Sequence, residues 1–312
     1  MEIERCFACP RKCGADRQKT KGVCNSDNTL RIASFGLHKW EEPCICGENG
    51  SGTVFFSGCT LKCVFCQNYQ ISQFSKGKEI SQNELCDIML RLQNAGAHNI
   101  NLVNPTHYAK IIRNVLERIK PSLKIPVVYN TGGYDTVQTI KSFEGLIDIW
   151  LPDIKYYDSR LSLLYSGIEN YFEYAINAVK EMYNLHTKRI GQKQNGYMHS
   201  DNVYDPNGGL QSGVIIRHLC LPGQKSDTMT ILEKIKENFG AQNTCISLMS
   251  QYFPTYRAKE YKQLNRRLTT LEYQKIVDYA VSLGFENGFT QQKSSACKDY
   301  VPNFDLLNPN NI

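Results

Sequence analysis

Cys59, Cys63 and Cys66 place three thiolates within eight residues, in a C-x3-C-x2-C spacing that directly follows the apolar run Thr53-Val-Phe-Phe-Ser57. Three thiolates can wrap one face of a 4Fe–4S cluster, which usually takes four cysteines. One iron then stays open to a small ligand, as the open position of a catalytic zinc does. An amino acid can fill it through its amine and carboxylate, and the cluster can pass an electron into a sulfonium held there. The alternatives are a zinc site or loose reduced thiols. Zinc prefers paired C-x2-C units and four ligands, so the spacing favours the cluster.

A second group lies upstream. Cys6, Cys9, Cys13 and Cys24 offer four thiolates within nineteen residues, and Gly14 and Gly22 permit the tight turns a closed site needs. Zinc and a second 4Fe–4S cluster both suit four cysteines. Cys44 and Cys46 flank Ile45 without evident partners. Cys86, Cys220, Cys245 and Cys297 read as small buried hydrophobes.

Nine of the thirteen cysteines fall between Cys6 and Cys66. The start of the chain has no apolar leader and no apolar run is long enough to cross a bilayer, so the expected compartment is the cytoplasm. Thiols stay reduced there, and clustered cysteines then point to metal or catalysis rather than disulfides. The 312 residues are 41% hydrophobic and 21% charged, as in a soluble globular protein. The net charge of +6 is spread thinly. It gives no nucleic-acid signal, although it would help to hold an anionic cluster or an acidic redox partner.

Positioning these groups falls to alternating strands and helices. Residues 1–45 read as a cysteine-rich metal-binding module with little periodic apolar pattern. Residues 46–293 alternate: strands at 53–57, 98–103, 125–129, 146–151, 213–219 and 244–249, and helices at 82–95, 109–119, 171–183, 228–238 and 271–283. Residues 185–210 read as a long polar loop and 294–312 as a tail. Six strands suit an α/β fold with an open, partial (β/α)6 barrel better than a full eight. In parallel α/β folds the chemistry sits at the carboxyl ends of the strands. Asn104, Asn130-Thr131, Asp153-Ile-Lys155, Arg217 and Gln251-Tyr252 all stand at such ends. Asp153 and Lys155, two apart on extended chain, point to one side. They suit a zwitterion, or form an ordinary surface ion pair. Asn130-Thr131-Gly-Gly133 is a cofactor contact or a simple glycine turn.

The triad, with the aromatic Phe65 before its last cysteine, resembles the signature of the radical S-adenosylmethionine (SAM) superfamily. The stretch Ser51-Gly-Thr-Val-Phe-Phe-Ser-Gly-Cys-Thr-Leu-Lys-Cys-Val-Phe-Cys-Gln-Asn-Tyr-Gln-Ile-Ser72 narrows this to proteins related to pyruvate formate-lyase activating enzyme. The resemblance runs over nearly the whole chain. It implies a radical SAM barrel, a 4Fe–4S cluster on Cys59, Cys63 and Cys66, and SAM held by Asp153 and Lys155 of the Asp-x-Lys motif. Arg217, Asn130, Thr131 and Phe65 are further cofactor contacts on the same grounds, and a backbone carbonyl at Asn104 or Thr106 could accept from the cofactor amine. The sequence departs from the family twice. Asn104-Pro-Thr-His107 replaces a Gly-Gly-Glu whose backbone receives the cofactor amine, and Asn130 replaces an Asp. His107 is a candidate to face substrate, whereas His218 should point to the opposite face and serve structure.

The resemblance also implies a function. A flavodoxin or ferredoxin would supply one electron, SAM would be cleaved to a 5′-deoxyadenosyl radical, and that radical would take a hydrogen from a substrate. The substrate is expected to be a glycyl-radical enzyme or another protein or peptide, with a small molecule as the alternative. A metal-binding or iron–sulfur protein without turnover is the reading from another class.

Overall fold

A computed structural model describes residues 5–191 and 202–291. Among these, ten strands form one sheet. In chain order they are β1 (Arg31–His38), β2 (Ser51–Phe56), β3 (Lys78–Glu79), β4 (Ile100–Val103), β5 (Val127–Thr131), β6 (Ile149–Pro152), β7 (Val203–Tyr204), β8 (Leu210–Leu219), β9 (Cys245–Met249) and β10 (Gly288–Thr290). Seven of them run parallel in the order β2-β4-β5-β6-β8-β9-β10. The edges do not meet, and the result is a partial α/β barrel.

The parallel strands are short and nearly all apolar because both of their faces are covered. Their alternation sorts side chains by face. Val127, Tyr129, Trp150, Val214 and Ile216 point out and join the helices in the largest core cluster. Val128, Ile149, Leu151 and Ile215 point in, with Ile45 and Cys245. The outer helices turn apolar stripes to the sheet, for instance Ile112, Val115, Leu116 and Ile119 of the helix Ala109–Ile119. Capping boxes start two of them, Ser81 with Glu84 and Thr269 with Glu272.

All six expected strands are present, with shifted ends. The sheet also gains strands at both edges. β1 pairs antiparallel with β2, with a register shift between Ile32 and Ser34. It lies inside the segment read as strandless, because only Ile32 and Ala33 of its eight residues are buried and no alternation marks it. The expected boundary at residue 45 falls within the short helix Pro43–Cys46. The helix read as ending at Tyr183 continues to Ile190, where Gly191 closes it in a left-handed conformation. Of the expected loop, residues 185–190 lie on that helix and Val203–Tyr204 forms β7, while 192–201, like the expected tail 294–312, lie outside the described residues. Of the four cysteines read as buried, Cys220 and Cys245 are, Cys86 is half-buried, and Cys297 lies outside the described residues.

His218 faces outward from β8, as its position in the alternation requires. One ring nitrogen, Nδ1, meets Ile154 O at 2.6 Å and the other, Nε2, meets Thr228 Oγ1 at 2.9 Å. Burial pushes its pKa down to about 4 from an ordinary 6.5. A ring whose folded pKa is the lower one contributes stability that is complete above the unfolded pKa and lost as pH falls through the folded one. The gap in melting temperature between the wild type and His218→Gln should therefore be wide at pH 7 and narrow between pH 6.5 and 4. A gap that does not change with pH would contradict this.

Candidate active site

The carboxyl ends of the strands surround a cavity of about 250 Å³. It is built from the sheet upward. Three inward rows end in a polar residue, Asn130 on β5, Asp153 after β6 and Arg217 on β8, and Asn101 stands one step lower in the inward row of β4. Asp153 and Arg217 are brought opposite each other as a parallel bridge. Arg217 donates from Nε to Asp153 Oδ1 at 3.0 Å and from Nη1 to Glu41 Oε2 at 3.1 Å, and its Nη2 donates to Asn130 Oδ1. Lys155 Nζ pairs with the other oxygen of Asp153.

This is no surface ion pair, since Asp153 is only 8% exposed. Burial alone would raise the Asp153 pKa, but Lys155 and Arg217 outweigh it and hold the carboxyl below its ordinary range. For Lys155, burial works against the charge and Asp153 more than restores it. The result is a carboxylate held between two cations, with donor groups left facing the cavity.

Above this polar layer sits the cysteine loop. Gly58 makes the turn into it at φ +93°. A Cβ there would stand 2.3 Å from Ser26 Oγ and 2.7 Å from Cys24 O, so only glycine fits. Cys59, Cys63 and Cys66 all line the cavity. Each sulfur has a polar neighbour: Leu61 N–H at 3.4 Å from Cys59, Ser166 Oγ at 3.0 Å from Cys63 and Ser72 Oγ at 3.2 Å from Cys66. Burial and the neighbouring Cys63 push the Cys59 thiol up to about 11 and the Cys66 thiol up to about 12. Among the described residues, no three His, Cys, Asp or Glu side chains converge tightly as around a single ion. A cubane does not ask for that, because it binds each sulfur through a different iron. Three thiols on one wall, each with a hydrogen-bonding neighbour, fit such a cluster.

The cavity brings together every residue expected to touch cofactor: Asn104, Asn130, Thr131, Asp153, Lys155, Arg217 and Phe65, with Gln251 beside them. Phe65 is wedged edge-on among Tyr156, Tyr165 and Tyr252. Tyr252 is buried and donates to Leu264 O at 2.6 Å, so it backs the loop rather than lining the cavity. Asn104 takes a left-handed φ of +58° and donates through Nδ2 to Gly58 O at 3.0 Å. His107 does not face the cavity. Its ring is buried with Nε2 2.7 Å from Ser57 O, and burial pushes its pKa down to about 3. It supports the turn from behind.

Three contributors went unread in the sequence. Glu41 lines the cavity, accepts from Asn101 and Asn130 as well as Arg217, and has its pKa raised by burial against the pull of Arg217. Its only sequence signal is an acidic pair before Pro43, which reads as an ordinary helix start. Ser166 and Ser72 were missed because isolated serines carry no signal. The four upstream cysteines lie outside this cavity.

A partial barrel with a three-cysteine loop and a buried carboxylate–cation layer at its mouth is the arrangement of a radical SAM protein. Residues 53–197 match the Radical SAM superfamily. Over 288 residues the chain is 30% identical to uncharacterized protein MJ0674 of Methanocaldococcus jannaschii, covering 89% of this chain and 75% of that protein. The chain belongs to the radical SAM superfamily, whose members use a 4Fe–4S cluster and SAM. Among solved structures, a mutant spore photoproduct lyase aligns over 83% of this chain and 79% of its own, with a TM-score of 0.51 at 10% identity, a likeness of fold alone. Streptococcus suis SuiB bound to S-adenosylmethionine aligns over 75% of this chain with a TM-score of 0.49 at 14% identity. The chain spans about half the length of SuiB, 48%. No helix among the described residues is long and apolar enough to cross a membrane.

Proposed function

We propose that this protein cleaves SAM reductively and uses the resulting radical on a protein or peptide, in the manner of a glycyl-radical activating enzyme. The observation that carries this is the single cavity shared by Cys59, Cys63 and Cys66 and the Asp153–Lys155–Arg217 layer. In this reading the three cysteines hold a 4Fe–4S cluster. When bound there with SAM, such a cluster would supply reductive C–S cleavage to a 5′-deoxyadenosyl radical, with one electron from a flavodoxin or ferredoxin. The residues supply position. Lys155 and Arg217 suit the carboxylate and ribose hydroxyls, and Asp153 keeps both cations aimed. Thr131, Asn130 and Asn104 offer polar contacts at the same rim. Phe65 and its tyrosines exclude water behind the cysteine loop, which protects a reactive radical. The thirteen cysteines suit a reducing compartment, the cytoplasm.

The test is anaerobic reconstitution with iron and sulfide, followed by reductant and SAM. Formation of 5′-deoxyadenosine is expected, and its absence removes this reading in favour of a non-catalytic metal protein. Electron paramagnetic resonance then separates substrates. A glycyl doublet on a partner protein marks an activating enzyme, and label from a peptide or small molecule in 5′-deoxyadenosine marks the alternatives.

Ser166 should tune the cluster. A metal-bound thiolate has no proton to give, so Ser166 Oγ must donate to Cys63, and Tyr156 OH, 2.8 Å away, must then donate to Ser166. Donors to cluster sulfurs favour the reduced, more negative state. Losing one hydrogen bond of about 1 kcal/mol should lower the midpoint potential of Ser166→Ala on the order of 40 mV. An unshifted potential in a redox titration would remove Ser166 from this role.

A further inference from the structure

We propose that Cys6, Cys9, Cys13 and Cys24 form a closed four-thiolate site for a second, thiophilic metal centre, and that this centre clamps the loop carrying Cys59 and Cys63. The clamp rests on the proposed function above; the metal site does not.

The first ground is the need for one. Between residues 5 and 29 the two large aliphatic or aromatic side chains, Phe7 and Val23, are 59% and 42% exposed. A segment with no core of its own needs a staple. It is nevertheless folded into two turns that carry the thiols. Cys6 N–H donates to Ala15 O at 3.1 Å and Gly14 N–H to Cys6 O at 3.2 Å, while Lys12 N–H closes on Cys9 O at 3.0 Å. The second turn closes through Gly22 N–H to Ser26 O and Asn25 N–H to Gly22 O, both at 2.9 Å.

The second ground is that the two turns bring the sulfurs of Cys13 and Cys24 to one place. A Cβ on Gly22 would stand 3.3 Å from Cys13 Sγ and 3.4 Å from Cys24 Sγ. Cys9 is buried and within electrostatic reach of Cys24, Cys6 and Cys13. Arg17 Nη2 is 3.5 Å from Cys24 Sγ. The sulfurs do not converge as around a single ion, and closing them is the work of the metal, as in small modules where metal binding and folding are one event.

The third ground is what the module grips. Cys24 O accepts from Cys59 N–H at 3.2 Å. Arg11, between Cys9 and Cys13, donates to Thr60 O at 3.0 Å, Gly167 O at 2.8 Å and Ser166 O at 3.2 Å. Ser166 is the residue whose hydroxyl meets Cys63. Two of the module's own fixed points, one a proposed ligand and one flanked by two, therefore hold both walls of the cysteine loop.

The test begins with metal and sulfide counts on the full chain purified without oxygen. Zinc at about one per chain beside the cluster iron, or about eight irons with matching sulfide, supports the site and identifies the centre. No metal beyond about four irons per chain overturns it. Hydrogen exchange then tests the clamp. In Cys9→Ser/Cys13→Ser the second metal should be lost and exchange at Cys59 N–H should rise by about tenfold or more, because its acceptor on Cys24 is no longer held. Arg11→Ala keeps all seven cysteines and should loosen residues 57–61 with both metals in place, which keeps the clamp testable if the double variant fails to fold. Unchanged exchange in Arg11→Ala overturns the clamp. SAM cleavage is not among these readouts, so its absence would leave the metal site standing.

Discussion

Replacing Cys63 by alanine should leave a folded protein that holds almost no cluster and forms no 5′-deoxyadenosine above background. Cys63 is the middle ligand of the three and is buried beside Ser166 and Tyr156. Cys59 and Cys66 alone cannot retain a cubane that needs at least three thiolates, and the hard chemistry belongs to the cofactor, so no residual pathway remains. The loop lies at the mouth of the barrel and outside the main core cluster, so the melting temperature of the metal-free chain should move little. Iron and sulfide analysis, the 5′-deoxyadenosine assay and a thermal melt check the three parts. Cys220→Ala is the control: this thiol is fully buried but faces the outer core, and its loss should leave the iron in place. Normal iron content in Cys63→Ala would show that the cluster sits elsewhere.

Asp153→Asn should be the most costly change among the non-cysteine residues of the site. The carboxylate is shared by Lys155 and Arg217, and removing it leaves two cations facing one another in a nearly dry layer. Breaking a buried ion pair by deleting one partner costs about 3–5 kcal/mol, and the lower end applies because Glu41 still faces Arg217. The diagnostic variant is the double change Asp153→Asn/Lys155→Met, in which no unpaired cation remains at position 155. If Asp153 and Lys155 both served only structure, SAM cleavage would return together with stability. The proposed role predicts that the double variant regains much of the melting temperature while SAM cleavage stays at least about a hundredfold down, since a lost charged contact in a buried site is worth roughly 3 kcal/mol. Recovery of both would overturn the cofactor role of the pair.

Glu41 shows why the polar layer was only half legible. Asp153, Lys155 and Arg217 stand at strand ends, and period-two alternation is enough to place them on the inner face. Glu41 belongs to no strand. It reaches the cavity because β1 runs antiparallel along β2 and delivers the following residues under the barrel mouth, where Ile45 plugs the apolar interior. No local pattern encodes that path. His107 failed in the opposite sense. Its position after β4 suggested the cavity, but the short 3-10 turn Thr106–Tyr108 rotates it behind the turn at Gly58.

By itself the sequence determined the spacing of the three cysteines, the alternating elements and the rows of residues at the strand ends. These depend on spacing along the chain and on a periodicity of two, both local properties. The tertiary structure decided which distant residues share a charge. It brought Glu41 and Asn130 onto one guanidinium and Asn101 onto Glu41, set the hydroxyls of Ser166 and Ser72 against the sulfurs, and seated the first cysteine module against the second through Arg11 and Cys24. Such pairings span up to 176 residues of chain and arise only when the sheet closes distances that no short-range rule can count.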